Sequence, residues 1–279
     1  MSVAYRLDST PELEDRLASL GLARNVRDLA EEGYTVVRDP KGPAIADALR
    51  AAIRRAVPEA PETMPGLASS RFTLLDADPV IAEAVTVPSV LALVELVLGR
   101  GALLSQVAAS RRAQGAPAMG LHADNSWFPA PYPDWEIMCT ACFVTDEFTE
   151  EAGATLVVPG THRMKAPPPK GERAEDARPI VAEKGAICLW TGSVWHGNYP
   201  RSLPGERVVL HTTYTRLGMQ PIETYDHLGA DWFADKDPAL PMLLGRENFL
   251  GRRHGWKEDH RPLLAKTWAQ VHGEDNLPL

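Results

Sequence analysis

Apolar residues in the first third of the chain recur at helical spacing, whereas from residue 102 onward they fall into short runs of strand character. Residues 13–32 carry a helical stripe broken at Gly21 and predict one or two short helices. A strand is predicted at 34–38, then an amphipathic helix over 44–57 that stops ahead of Pro58, and another helix over 89–98. The β-rich runs lie at 103–110, 136–145, 155–158, 180–182, 186–190, 194–196 and 207–215, separated by Gly, Pro and Asp. Many short strands with turn residues between them predict a sandwich or barrel. Residues 127–135, with aromatics among three prolines, and 166–179, rich in Pro, Lys and Glu, read as surface loops, the first placed to act as a lid. Beyond 216 come a short helical segment at 240–244 and a terminal helix near 263–271, with no internal repeat or low-complexity linker.

Composition changes this picture little. With 279 residues, 44% hydrophobic and 24% charged, the chain suits one large domain over 1–279: helical support to residue 100, a β core over 102–216 and a C-terminal extension over 217–279. A net charge of −8 argues against a nucleic-acid or anionic-membrane surface, and the basic pairs Arg111-Arg112 and Arg252-Arg253 are too short to alter that. Three cysteines, Cys139, Cys142 and Cys188, are an odd and sparse set, which points to a reducing compartment. Cys139 and Cys142 sit three apart in a predicted strand, on opposite faces, and read as buried core thiols rather than a metal pair. Residues 1–20 lack the apolar core of a signal peptide and no stretch has membrane-spanning length, so a cytoplasmic protein is expected.

The candidate chemistry lies in His122-Ala-Asp124, with His196 further on and Arg207 eleven residues after it. Two imidazoles and one carboxylate are a ligand set that holds non-haem iron(II) on one face and leaves the opposite positions open for co-substrate and oxygen. On a plain strand His122 and Asp124 would share a face. Residues 184–190 read as a turn and strand, and Thr191-Gly192-Ser193 turns the chain so that Val194-Trp195-His196 reaches inward. Arg207 opens the next β run, and a buried arginine there can pair bidentately with a carboxylate.

These residues, together with the segment Glu151-Ala-Gly-Ala-Thr-Leu-Val-Val-Pro-Gly-Thr-His162, resemble the phytanoyl-CoA dioxygenase family of iron(II)- and 2-oxoglutarate-dependent oxygenases over roughly Gln106 to Arg216. The resemblance implies a double-stranded β-helix, the cupin-type jelly roll, flanked by N-terminal and C-terminal helices. It implies His122, Asp124 and His196 as iron ligands, Arg207 as partner of the far carboxylate of 2-oxoglutarate, and Gln106 as a polar contact to that co-substrate. Asn198 stands where a Ser is frequent and still offers a hydrogen-bond donor. Glu151-Ala152 replaces a common Asn before Gly153, a turn variation. Halogenating relatives lack the carboxylate of the first triplet; Asp124 is present, so hydroxylation or another oxidation of a small metabolite with oxygen, releasing succinate and carbon dioxide, is implied.

Other residues receive plainer readings. Trp127 and Phe128, just after the first ligands, are expected to help wall the substrate site, and Trp195 is a further candidate there. His211 shares a strand face with Arg207, which makes it either pocket lining or core. His162 reads as a structural histidine. His227, His254, His260 and His272, and the cluster Asp146-Glu147 with Glu150-Glu151, read as solvated. Two rival classes remain: a cupin-like metal-dependent isomerase or hydrolase that does not use 2-oxoglutarate, and a non-catalytic small-molecule binder.

Overall fold

Thr10 starts the helical third by accepting the Leu13 amide at its hydroxyl, with Pro11 in the first turn, and the helix α1 (Pro11–Ser19) buries Leu13 and Leu17. The computed structural model describes residues 7–57, 70–171, 175–250, 259 and 261–273. Gly21, at φ +70°, ends the first turn of chain, and α2 (Ala23–Glu32) runs to Gly33, also left-handed; the stripe over 13–32 is therefore two helices. The strand β1 (Tyr34–Val37) leads to α3 (Gly42–Ala56), which buries Ile45, Leu49, Ala52 and Ile53 along one side. After β2 (Ser70–Arg71), α4 (Pro79–Val85) begins at Asp78, whose carboxylate accepts the Val80 amide. Neither β2 nor α4 was expected, because a two-residue pairing and a short apolar run carry no readable period. The helix α5 (Pro88–Leu98) is buried along most of its length. Among the described residues no single helix is long and apolar enough to cross a membrane; only the bent pair α4–α5 has the composition.

The β core comprises β3 (Leu103–Ala113), β4 (Met119–His122), β5 (Met138–Val144), β6 (Thr155–Val158), β7 (Arg178–Pro179), β8 (Ile187–Thr191), β9 (Trp195–Asn198) and β10 (Glu206–Thr215). They form two antiparallel sheets, β1-β8-β5-β10-β3-β2 and β4-β9-β6-β7, in the expected jelly roll. Strand alternation divides the large sheet's side chains. Val208 and Leu210 join the cluster against the helices, with Leu104, Val107, Phe143 and Leu189; Val209 joins Cys142, Val144, Cys188 and Trp190 between the sheets. Short helices α6 (Ala230–Phe233), α7 (Ala239–Leu243) and α8 (Arg261–His272) follow.

Some expectations shift. The predicted strand at 180–182 is instead the edge pair at β7 plus a lone bridge between Ala182 and Phe148. Pro179 has no amide to donate, which suits an edge. The Val194 amide closes the preceding turn on Thr191, so that strand begins at Trp195. β4, with Gly120 at its centre and little burial, has no alternation to read. Asp146 is not merely solvated: it pairs with Arg50 at 3.0 Å and accepts the Val208 amide. Cys139 and Cys142 do face opposite sides, and all three thiols are buried, Cys142 being pushed up to about 12 by burial. His254, His260 and Arg252-Arg253 lie outside the described residues; His227 is exposed and 2.8 Å from Asp76.

His162 is structural, as its position suggested: it is 1% exposed and lies against Gly33, where a Cβ would come within 2.6 Å of its ring. Burial, with Arg163 adding, lowers its pKa to about 4 from the ordinary 6.5. The unfolded chain thus takes up the proton first, so the stability contributed by neutral His162 is complete above pH 6.5 and lost as the pH falls toward 4. His211, lowered to about 4, acts in the same window. Stability measured from pH 7 to pH 4 is expected to fall, and His162→Gln to lessen the slope by up to about 1.4 kcal/mol per pH unit. An unchanged slope in the variant would contradict this assignment.

Candidate metal centre

β4 and β9 bring the two histidines together. His122 and His196 are register partners in this antiparallel pair, with ring centroids 4.3 Å apart. The register slips between Met119 and His122, leaving Gly120 and Leu121 on β4 opposite Gly197. A Cβ on Gly197 would lie 2.5 Å from the Met119 carbonyl oxygen, so glycine permits the close approach. Each imidazole sets its Nδ1 3.1 Å from a backbone carbonyl, His122 at Gly120 and His196 at Val194. With Nδ1–H donated there, both Nε2 lone pairs are left for a common centre.

Asp124 reaches that centre by another route than expected. The strand stops at His122 and Asp124 opens a 3-10 turn, Asp124–Trp127. The turn is anchored where the Asn125 amide donates to the Gly192 carbonyl and the Asn125 side chain donates to Glu136 and Ser193, a fully buried network. Oδ1 of Asp124 lies 3.5 Å from His196 Nε2 and 3.9 Å from His122 Nε2, and one ligand atom from each of the three residues falls within 4.8 Å of the others. Oδ2 accepts from the Thr140 hydroxyl at 3.0 Å and the Trp190 indole at 3.2 Å. Burial opposes ionisation of Asp124, but His196, His122 and Thr140 together hold it well below the usual carboxylate range. Burial likewise opposes charge on His196, yet the facing carboxylate outweighs it and raises the pKa; His122 is lowered by burial and by His196. A carboxylate held ionised beside two imidazole Nε2 atoms that face the same centre fits a divalent cation such as iron(II).

Arg207 lies on the face of β10 turned toward the small sheet, 2% exposed. It donates to the Gly153 carbonyl and stacks 5.1 Å over Phe148, while its Nε has no partner among the described residues. Its register partner Arg112 on β3 is 6% exposed, donates to the Pro117 carbonyl and also leaves Nε without a partner there. Burial lowers Arg207 to about 10, and no carboxylate pairs with either guanidinium among the described residues. Two neighbouring buried cations lacking an anion are costly unless a ligand supplies one, so the pair fits an anionic co-substrate.

The remaining sequence candidates divide. His211 and Gln106 share the Arg207 face, partly exposed, and His211 meets the Trp190 ring edge-on at 6.0 Å. Burial accounts for the lowered pKa of His211. Asn198 ends β9, paired with Met119 and Thr155. Trp195, adjacent to His196 on a strand, faces the opposite side, packed with Ala123, Tyr132 and Val158 and donating to the Ala166 carbonyl. Trp127 projects into solvent, 87% exposed; Phe128 is half-buried. Sequence reasoning missed Thr140, Trp190, Asn125, Glu136 and Ser193; the only signal was Thr140 as a polar residue within an apolar strand.

Residues 29–207 match the family model described as Phytanoyl-CoA dioxygenase (PhyH). Among curated relatives, Dioxygenase af480 of Aspergillus fumigatus is 30% identical over 158 residues, 55% of this chain and 50% of that protein. Dioxygenase trt7 of Aspergillus terreus is 28% identical over 135 residues, 47% of each. The chain thus spans about half the length of these relatives. Among solved structures, EctD from S. alaskensis with 2-oxoglutarate and 5-hydroxyectoine aligns at a TM-score of 0.63 and 17% identity, covering 87% of this chain and 92% of that one. HygX from Streptomyces hygroscopicus with nickel, 2-oxoglutarate and hygromycin B aligns at 0.60 and 18% identity, covering 75% and 93%. At such identities the likeness is one of fold.

Because Gly197 lets β4 close on β9, Gly197→Ala is expected to displace His122 and weaken divalent-metal binding about tenfold in equilibrium dialysis. Circular dichroism should show the sheets retained; wild-type affinity in the variant would contradict the role given to this contact.

Proposed function

Since the chain belongs to the phytanoyl-CoA dioxygenase family, we propose that it is a non-haem iron(II)- and 2-oxoglutarate-dependent dioxygenase that hydroxylates an unactivated C–H bond of a small metabolite, releasing succinate and carbon dioxide. The observation that carries this reading is a two-histidine, one-carboxylate cluster in a fold whose large sheet also carries, on its inter-sheet face, a buried guanidinium without an anion among the described residues. His122, Asp124 and His196 would hold the metal. When bound, iron and 2-oxoglutarate supply, with oxygen, the oxidising power for C–H cleavage, 2-oxoglutarate being decarboxylated to succinate.

The chain's own residues bind, orient and exclude water. Nδ1 contacts to Gly120 and Val194 fix both imidazole planes. Arg207 would take the far carboxylate of 2-oxoglutarate through its unpartnered side, with Gln106 and Asn198 as further polar contacts. His211, kept neutral by burial, lies on the same face and would line the substrate space. A cupin-like isomerase or hydrolase shares the metal set, but the phytanoyl-CoA dioxygenase family match favours the oxygenase reading. The small molecules bound by EctD and HygX, and the charge of −8 that disfavours polyanions, support a small-metabolite substrate.

Mixing the purified protein anaerobically with iron(II) and 2-oxoglutarate is expected to give a visible charge-transfer band, lost in Asp124→Ala and His196→Ala. Full intensity in either variant would overturn the ligand assignment, and succinate formed without need of oxygen would overturn the reaction class. Arg207→Met is expected to weaken 2-oxoglutarate binding roughly tenfold to a hundredfold, as for loss of a charged hydrogen-bond pair, with metal affinity little changed.

A further inference from the structure

We infer that Thr140 and Trp190 are positioning residues that hold Asp124 as a one-oxygen ligand and so set how many positions on the metal stay open. The inference rests on the metal reading above and concerns residues that the ligand pattern itself does not contain. Asp124 enters from a 3-10 turn that follows the small-sheet strand β4, yet its outer oxygen is held by the large sheet. Thr140 on β5 and Trp190 on β8 are register partners, and both donate to Oδ2, at 3.0 and 3.2 Å. An indole N–H can only donate, so Trp190 fixes the sense of its contact. The Thr140 hydroxyl has one proton, and with that proton on Asp124 the 3.1 Å contact to Thr213 must be donated by Thr213. Two adjacent strands, β5 and β8, thus meet one carboxylate oxygen, with β10 behind them through Thr213, while Oδ1 lies 3.5 and 3.9 Å from the two Nε2 atoms.

On a six-coordinate ion, two imidazoles and one carboxylate oxygen would fill three positions and leave three for a chelating co-substrate and oxygen. If Oδ2 also turned to the metal, only two would remain, and co-substrate and oxygen would compete. Both donors must be displaced before Oδ2 can turn, and the Trp190 ring, packed 5.2 Å from the His196 ring, is itself held within the inter-sheet cluster. The same clamp keeps the carboxylate plane fixed without a second charged group, since neither donor is ionic.

The test uses cobalt(II) as the probe, because its visible absorption reports coordination number, with full-length wild type and the variants Thr140→Val, Thr140→Ser and Trp190→Phe under anaerobic conditions. Thr140→Val keeps the shape of the side chain and removes the hydroxyl; Thr140→Ser retains it. Thr140→Val is expected to lower cobalt affinity about tenfold, to alter the cobalt spectrum, and to weaken 2-oxoglutarate binding to the cobalt-loaded protein, with the melting temperature within a few degrees of wild type. Thr140→Ser should restore all three, and Trp190→Phe should repeat the spectral change. Wild-type spectra and affinities in Thr140→Val, or a Thr140→Ser variant as impaired as Thr140→Val, would overturn the clamp. If wild type bound no cobalt that Asp124→Ala abolished, the metal reading would fall first and this inference with it.

Discussion

The antiparallel contact of β4 with β9 is the constraint on which the site depends. It sets two imidazoles side by side across a strand pair, 4.3 Å apart and tilted by 51°, and it closes only because Gly197 offers no Cβ to the Met119 carbonyl. Strand pairing is rigid at the scale that metal ligation requires, since a one-residue slip would turn His196 to the outer face. The bulge at Gly120 and Leu121 absorbs the mismatch between strand spacing and ligand spacing. With the histidines fixed by main chain, the carboxylate can come from a less regular segment, a turn held by the Asn125, Glu136 and Ser193 network.

Electrostatically the space between the sheets has two contrasting sets of charges. In one, Asp124 is ionised against the tendency of burial because two histidines and Thr140 face it. In the other, Arg112 and Arg207 sit side by side without a carboxylate among the described residues, while nearby Arg201 donates to the carbonyls of Ala152, Pro204 and Gly205. The difference separates an arginine that completes a turn from arginines that leave donors unpaired. A charge buried in this way destabilises the empty fold and favours binding of an anion.

Much of this was legible in the sequence. His122, His196 and Arg207 stood out by residue type and interval, but their roles came from the family resemblance; short strands bracketed by turn residues gave a sandwich or barrel, and the resemblance narrowed it to the jelly roll. Asp124 was found for a reason that proved incomplete: its place on a strand face is taken by a turn, since the Asn125 amide bonds to Gly192 in a distant loop. Trp195 and Trp190 show where local reading ends. Adjacency to His196 drew attention to Trp195, but neighbours on a strand face opposite ways, and Trp190, reached through the other sheet, touches the ligand. Thr140 and Trp190 meet Asp124 through large-sheet register, which pairwise spacing in one sequence does not encode. The helix α4 escaped for the opposite reason: it is apolar on nearly every side and so has no stripe.

The thiols of Cys142 and Cys188 are register partners on the inter-sheet face of the large sheet, near Arg207. Burial raises the pKa of both, Cys142 up to about 12, and it is the thiolate that attacks peroxide. Sulfur therefore packs into the inter-sheet core as protonated thiol, closed to solvent and in the form that reacts slowly with peroxide.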